Sequence, residues 1–262
     1  MPRFAANLSM LFTEVPFLER FAKAREAGFT GVEYLFPYEW PAEELAERLQ
    51  ANGLTQVLFN LPPGDWDGGE RGIACLPGRE DEFRAGVEQA IRYARALACQ
   101  QVNCLAGLQP EGLDGLIARE TLVANVRYAA ARLAEEGMTL CLEAINSRVD
   151  MPGFLLDTSD KVIAVIEEVG AGNVRLQYDL YHMQIMEGDL LRSVERLLPW
   201  IGHMQFADNP GRHEPGTGEI HFANVFAGLD RLGYDGWMSA EYRPSTTTEK
   251  SLGWLGAGHK AS

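Results

Sequence analysis

Thr139-Leu-Cys-Leu-Glu143 is a short apolar run that closes on a carboxylate, and three later runs repeat the design. They are Val174-Arg-Leu-Gln-Tyr-Asp179, Ile201-Gly-His-Met-Gln205 and Trp237-Met-Ser-Ala-Glu241. Each has the length of a buried strand. Each ends on an oxygen that can ligate a metal: Glu143, Asp179, Gln205 and Glu241. Three carboxylates and an amide oxygen at successive strand ends can converge on one hard divalent cation. The pattern predicts a metal-dependent enzyme.

Outward from these runs, short apolar segments alternate with longer amphipathic ones along the whole chain. Strands are expected at Arg3–Leu8, Gly31–Tyr34, Gln56–Asn60, Gln101–Leu105 and Gly236–Glu241, besides those above. Helices are expected at Pro16–Ala27, Pro41–Asn52, Glu80–Ala98, Glu120–Glu136, Thr158–Val169, Asp189–Leu198 and Phe222–Leu232, with a short weak one near Thr247–Leu255. Pro41 at a helix start and Asn52-Gly53 at its stop carry the usual punctuation. Strict alternation implies parallel strands with crossover helices, and eight repeats favour closure into a single-domain (β/α)₈ TIM barrel. One domain is assigned to residues 1–262, with a detachable tail after about residue 244. A barrel of 262 residues is an ordinary size. A dinucleotide fold fares badly, because Gly216-Thr-Gly218 lacks the third glycine and does not follow a strand.

The formal charge of −14 opposes a nucleic-acid backbone. Cys75, Cys99, Cys104 and Cys141 form no CxxC pair and read as buried thiols of a reducing compartment. No run approaches the roughly 18 apolar residues of a membrane span. The N-terminal stretch, broken by Asn7 and Ser9, makes a better strand than signal peptide. A cytoplasmic protein acting on a small molecule is expected, with neither nucleic acid nor membrane as partner.

In a parallel barrel the active site assembles where strands end. Glu143, Asp179, Gln205 and Glu241 close strands five to eight, so they can share one mouth. Alternation places Cys141 below Glu143 and His203 below Gln205. An all-oxygen set favours Mg²⁺ or Mn²⁺ over Zn²⁺. His182, three residues beyond Asp179, can donate to a substrate oxygen. Arg212, in a Pro/Gly-framed loop, suits a bidentate grip on a carboxylate. Asn7, Glu33 and Asn60 end strands one to three, and the long loop Leu61–Gly78 carries Trp66 and Arg71, a lid with a second candidate for the substrate carboxylate. Glu143 and Glu241, flanking a polarised substrate, can shuttle a proton across an enediolate.

At these residues the sequence resembles the hydroxypyruvate isomerase family, within the xylose-isomerase-like barrels. The likeness is carried by Phe4-Ala-Ala-Asn-Leu-Ser-Met, Asn60-Leu-Pro-Pro-Gly-Asp-Trp, Gly69-Glu-Arg-Gly-Ile-Ala-Cys and Leu76-Pro-Gly-Arg-Glu. It continues through Tyr178-Asp-Leu-Tyr-His-Met-Gln, the loop Ala207–Ile220 and Glu241-Tyr-Arg-Pro. The resemblance implies conversion of hydroxypyruvate to 2-hydroxy-3-oxopropanoate, with Glu143 and Glu241 as the acid/base pair. It implies metal contacts from Glu143, Asp179, Gln205 and Glu241, and a homo-oligomer, dimer or tetramer. Related keto-sugar epimerases place a histidine where this chain has Gln205, which points toward the acid isomerases. The 2-oxo-tetronate isomerases share much of the pattern and are the alternative. Endonuclease IV-type nucleases share the barrel, but five histidines and a charge of −14 speak against them.

Overall fold

The computed structural model describes residues 2–257. Eight parallel strands form one sheet in the order β3-β2-β1-β8-β7-β6-β5-β4: β1 (Arg3–Asn7), β2 (Gly31–Glu33), β3 (Thr55–Leu58), β4 (Gln101–Cys104), β5 (Thr139–Glu143), β6 (Val174–Asp179), β7 (Ile201–Phe206) and β8 (Trp237–Ala240). The β3–β4 seam closes only just past the end of β3. Asn103 N donates to Phe59 O (2.9 Å) and Leu61 N to Asn103 O (2.8 Å), making a parallel bridge between Asn60 and Asn103. The result is a nearly closed TIM barrel.

The helices form the outer ring. They are α1 (Arg20–Glu26), α2 (Ala42–Asn52), α3 (Glu80–Ala96), α4 (Gly115–Ala134), α5 (Ser159–Val169), α6 (Leu180–Met186), α7 (Leu190–Leu197), α8 (Phe222–Leu232), α9 (Thr248–Ser251) and α10 (Gly253–Ala257). The α3 helix shows why they dock. Phe83, Val87, Ala90, Ile91 and Ala94 recur at helical spacing and are all buried against the sheet. Thr158 caps α5 by accepting from Lys161 N, as its sequence position suggests. No described helix is long and apolar enough to cross a membrane.

The main core lies between sheet and helices. Inside the barrel the apolar filling is small: Ala5, Val57, Leu58 and Cys141, with Trp237 packed against them. Gly31 makes room for that indole, since a Cβ there would meet Trp237 Cζ3 at 2.6 Å. Above this plug the lumen turns polar, with Gln56, Asn103, Gln177 and His203 all buried. Cys141 sits below Glu143 as alternation requires.

The segment after Arg243 is fastened down, which corrects the expectation of a detachable tail. Thr248 is buried; its hydroxyl accepts from Phe12 N (2.7 Å), and its N–H donates to Glu14 Oε1 (2.6 Å). Trp254 packs edge-on against Phe4 and Phe206 and donates to Tyr242 OH (3.1 Å). The partly buried indole adds apolar contacts to these hydrogen bonds, and together they offset the chain entropy of ordering the segment. The last residues of the assigned tail, 258–262, lie outside the described residues.

The 61–78 loop is internally braced. Glu70 pairs with Arg79 (2.7 Å) and accepts from Asp65 N (2.6 Å), while the Arg71 guanidinium lies 4.1 Å from the Trp66 ring centre. Gly72 anchors it against the strand-four extension: its φ is +104°, and a Cβ would fall 2.3 Å from Leu105 O. Gly72→Ala is therefore expected to cost roughly 2–4 kcal/mol, read from the midpoint of urea unfolding. An unchanged midpoint would mean that the loop is not pinned at this position.

Candidate active site and metal centre

Glu143 ends β5, Asp179 ends β6, and Glu241 follows β8 with its N–H still bonded to Phe206 O (3.1 Å). Asp179 is also the N-cap of α6, its Oδ1 accepting from Tyr181 N at 2.8 Å. Strand end and helix start are thus one residue, and α6 carries His182 straight over the mouth. One ligand atom from each of Glu143, Asp179, His182 and Glu241 lies within 4.8 Å of all the others, and all four residues are buried. Glu143, His182 and Glu241 face a cavity of about 720 Å³ that is also lined by Asn60, Trp66, Arg71, Asp150 and Arg212, and Asp179 lies buried behind them.

The electrostatics are those of carboxylates crowded out of water. Burial pushes Glu143 well above the ordinary carboxylate range, and repulsion from Glu241 and Asp179 adds to it. Burial likewise raises Asp179 to about 6 and Glu241 to about 8, although Arg212 pulls both down. Arg212 Nη2 pairs with Glu241 Oε2 at 2.5 Å and lies 3.7 Å from Asp179 Oδ2, while Nη1 lies 3.7 Å from Asp150. Burial alone would weaken its charge, but these carboxylates more than offset that and raise its pKa. The sequence suggested Arg212 as a substrate clamp; here its guanidinium is turned onto the site's own carboxylates.

His182 has a defined polarity. Asn146 Oδ1 accepts from the N–H groups of Val149 (3.0 Å) and Asp150 (2.9 Å), so its amide nitrogen is the end that meets His182 Nδ1 at 2.7 Å. Nδ1 is then the acceptor and Nε2 carries the proton. Nε2 points at Asp179 Oδ2 (3.5 Å) and Glu143 Oε1 (3.7 Å). Burial, reinforced by Arg212, holds the ring's pKa well below the usual value and keeps it neutral. His182 is thus set up as a hydrogen-bond donor into the cavity, and this tautomer has no lone pair there for a cation. Nothing in the spacing of Asn146 from His182 announces the contact in the sequence.

Other expected residues divide into two groups. Asn60 and Arg71 line the cavity. Arg71 also donates to the carbonyls of Trp66 (2.9 Å) and Glu70 (2.7 Å), which steadies its stem. Asn7 lies outside the cavity lining. Its Nδ2 donates to Glu33 Oε1 (3.0 Å) and Glu241 Oε1 (2.9 Å), so it positions carboxylates. Gln205 sits at the floor: Nε2 donates to Glu33 Oε1 (2.7 Å) and Glu241 Oε1 (3.1 Å), and Oε1 accepts from Gln177 (2.6 Å).

These groups suit a hard cation. Asp179 Oδ2, fully buried, has no hydrogen-bond partner, and three buried carboxylates share one guanidinium. An orphaned carboxylate oxygen in such a place is costly unless a cation meets it. The buried acidic cluster can bind a metal.

Fold and mouth define the class: the chain belongs to the xylose isomerase-like TIM barrel family, whose model matches residues 21–257. Within it, the chain is 51% identical to hydroxypyruvate isomerase of Escherichia coli, over 97% of this chain and 98% of that one. It is 50% identical to 2-oxo-tetronate isomerase of Cupriavidus necator over the same shares. This kinship makes it an isomerase. A crystal structure from Brucella melitensis described as "AP endonuclease, family 2" superposes with a TM-score of 0.96 at 48% identity, covering 98% of this chain and 99% of that one.

Proposed function

We infer that the protein interconverts hydroxypyruvate and 2-hydroxy-3-oxopropanoate with a divalent cation, Mg²⁺ or Mn²⁺, held by Glu143, Asp179, Gln205 and Glu241. The observation that carries this reading is the meeting of Glu143, Asp179, His182 and Glu241 within 4.8 Å at the mouth of a barrel. When bound, the cation would polarise the substrate carbonyl and its neighbouring hydroxyl and so acidify the proton on carbon 3. One glutamate of the Glu143/Glu241 pair takes that proton, leaving an enediolate, and the hydroxyl proton on the carbon-3 oxygen passes to the carbon-2 oxygen. A glutamate then delivers a proton to carbon 2 as the carbon-3 carbonyl forms, completing the isomerisation. His182 Nε2–H donates to a substrate oxygen as charge gathers there. Arg71, facing the cavity, pairs with the substrate carboxylate, and Arg212 offsets the negative charge of Glu241, Asp179 and Asp150 beside it.

Nucleic acid is disfavoured as a substrate by the charge of −14 and by the depth of the reacting groups. Four free, buried cysteines suit a reducing compartment and support a cytoplasmic location.

A second reading, isomerisation of 2-oxo-tetronate, is favoured by the cavity. At about 720 Å³ it has room for more than a three-carbon acid. Rates for both acids measured side by side test the assignment. A kcat/KM higher for hydroxypyruvate is expected, each tenfold preference corresponding to about 1.4 kcal/mol. A preference for the four-carbon acid would move the assignment to the second reading.

A further inference from the structure

Glu33 lies beneath the cavity, 1% exposed, and takes no part in the chemistry proposed above. Both of its oxygens are engaged. Oε2 meets His203 Nε2 at 2.7 Å, and Oε1 accepts from Asn7 (3.0 Å) and Gln205 (2.7 Å). Asn7 is turned by Ser9, whose N–H its Oδ1 accepts (3.0 Å), so it shows Glu33 its NH₂ end and Glu33 Oε1 is an acceptor in this arrangement. Whatever Gln205 turns toward Glu33 must therefore donate, and a carboxamide has a single donor end. Its nitrogen is committed and its oxygen is left over. That oxygen rests on Gln177 Nε2 at 2.6 Å, while the oxygen of Gln177 has no partner of its own.

We propose that Glu33, held by His203, is the positioning residue that fixes the polarity of the Gln205 carboxamide, leaving its oxygen as the end available to a divalent cation. Gln177 is the resting partner of that oxygen. The inference rests on the metal reading above, and it places an outer carboxylate behind a metal ligand, a general way of orienting such ligands.

The test is Mn²⁺ titration of the full-length protein, followed by electron paramagnetic resonance of the free ion, with circular dichroism to establish folding. In Glu33→Gln, His203 Nε2–H keeps the amide oxygen, so the new NH₂ group faces the Gln205 nitrogen. Gln205 then turns over and presents NH₂ to the cation, and Mn²⁺ affinity should fall roughly 10- to 100-fold. Gln177→Leu removes only the resting partner and should bind Mn²⁺ at least as tightly as the unsubstituted protein. A folded Glu33→Gln with unchanged affinity overturns the proposal, as does an equal loss in Gln177→Leu. If Glu33→Gln does not fold, Gln205→His decides. An imidazole donates one N–H to Glu33 and offers its other nitrogen to the cation, so lost Mn²⁺ binding there would also overturn it. Failure of the unsubstituted protein to bind Mn²⁺ at millimolar concentration would remove the metal reading itself, a different result from failure in the variants alone.

Discussion

Glu241→Gln is expected to slow isomerisation by about 10²–10⁴-fold, the range a positioned acid–base group supplies, which corresponds to about 3–5 kcal/mol of barrier. The substitution keeps the shape and the hydrogen bond from Asn7 Nδ2 (2.9 Å) but removes the proton acceptor. The experiment is proton NMR of hydroxypyruvate in D₂O. The unsubstituted protein should exchange the carbon-3 protons with solvent, and both Glu241→Gln and treatment with EDTA should stop the exchange. Arg212 keeps Asp179 and Asp150 as partners in the variant, so its guanidinium is not left alone. Exchange that persists in both cases would sink the glutamate mechanism and the cation together.

The second large effect links pH, cation and stability. Glu241 titrates near 8 in the folded protein against an ordinary 4.5, and burial and its carboxylate neighbours raise Glu143 as well. A group whose folded pKa is raised contributes stability below its unfolded pKa and loses it as pH climbs toward the folded value. The metal-free protein should therefore lose thermal stability between about pH 7 and 8. Glu241 contributes about 1.4 kcal/mol per pH unit approaching its folded pKa, roughly 3–6 °C in Tm, and Glu143 acts in the same direction. Buried His182, with its lowered pKa, acts in the opposite sense but only below about pH 6.5, outside this window. A saturating divalent cation needs the carboxylates ionised, so the Tm gain it gives should be larger at pH 8 than at pH 6. Calorimetry in EDTA and in Mg²⁺ or Mn²⁺ at the two pH values measures this. A Tm in EDTA that is flat or rising from pH 7 to 8 would contradict the charge crowding described for the site.

Much of this architecture is legible in the chain, and the exceptions have physical causes. The β5, β6 and β7 strands and α8 fall on the residues expected, because buried apolar runs and a Gly233 stop leave little freedom. The α4 helix begins at Gly115, five residues before the expected Glu120; its cap is Asp114, which accepts from Leu116 N, and the exposed Leu116 and Ile117 hide the amphipathic pattern there. The α6 helix was not anticipated, since no turn separates it from β6 and Asp179 serves both. The β3 strand lies at Thr55–Leu58 instead of Gln56–Asn60; the run continues into the seam bridge, where Asn60 pairs as an isolated residue.

Strand-end carboxylates were legible because a parallel barrel leaves them nowhere else to point. What spacing does not announce is polarity. That Asn146 holds the acceptor nitrogen of His182, that Asn7 serves Glu241, and that Glu33 meets His203 across 170 positions are consequences of closure. Only the closed barrel brings these partners into one lumen.

The docking of the last described segment has a consequence for how the protein is made. Asn7 and Glu241 share a hydrogen bond across 234 positions, and Thr248 completes the loop that begins at Phe12. On a ribosome the first strand therefore waits, unpaired on one edge, until β8 has followed it out. Its second neighbour, Glu241 and part of the rim of the cavity then arrive together. A message cut short before the codon for Trp237 would yield a barrel with an exposed edge, prey for chaperones and proteases, and no half-active enzyme.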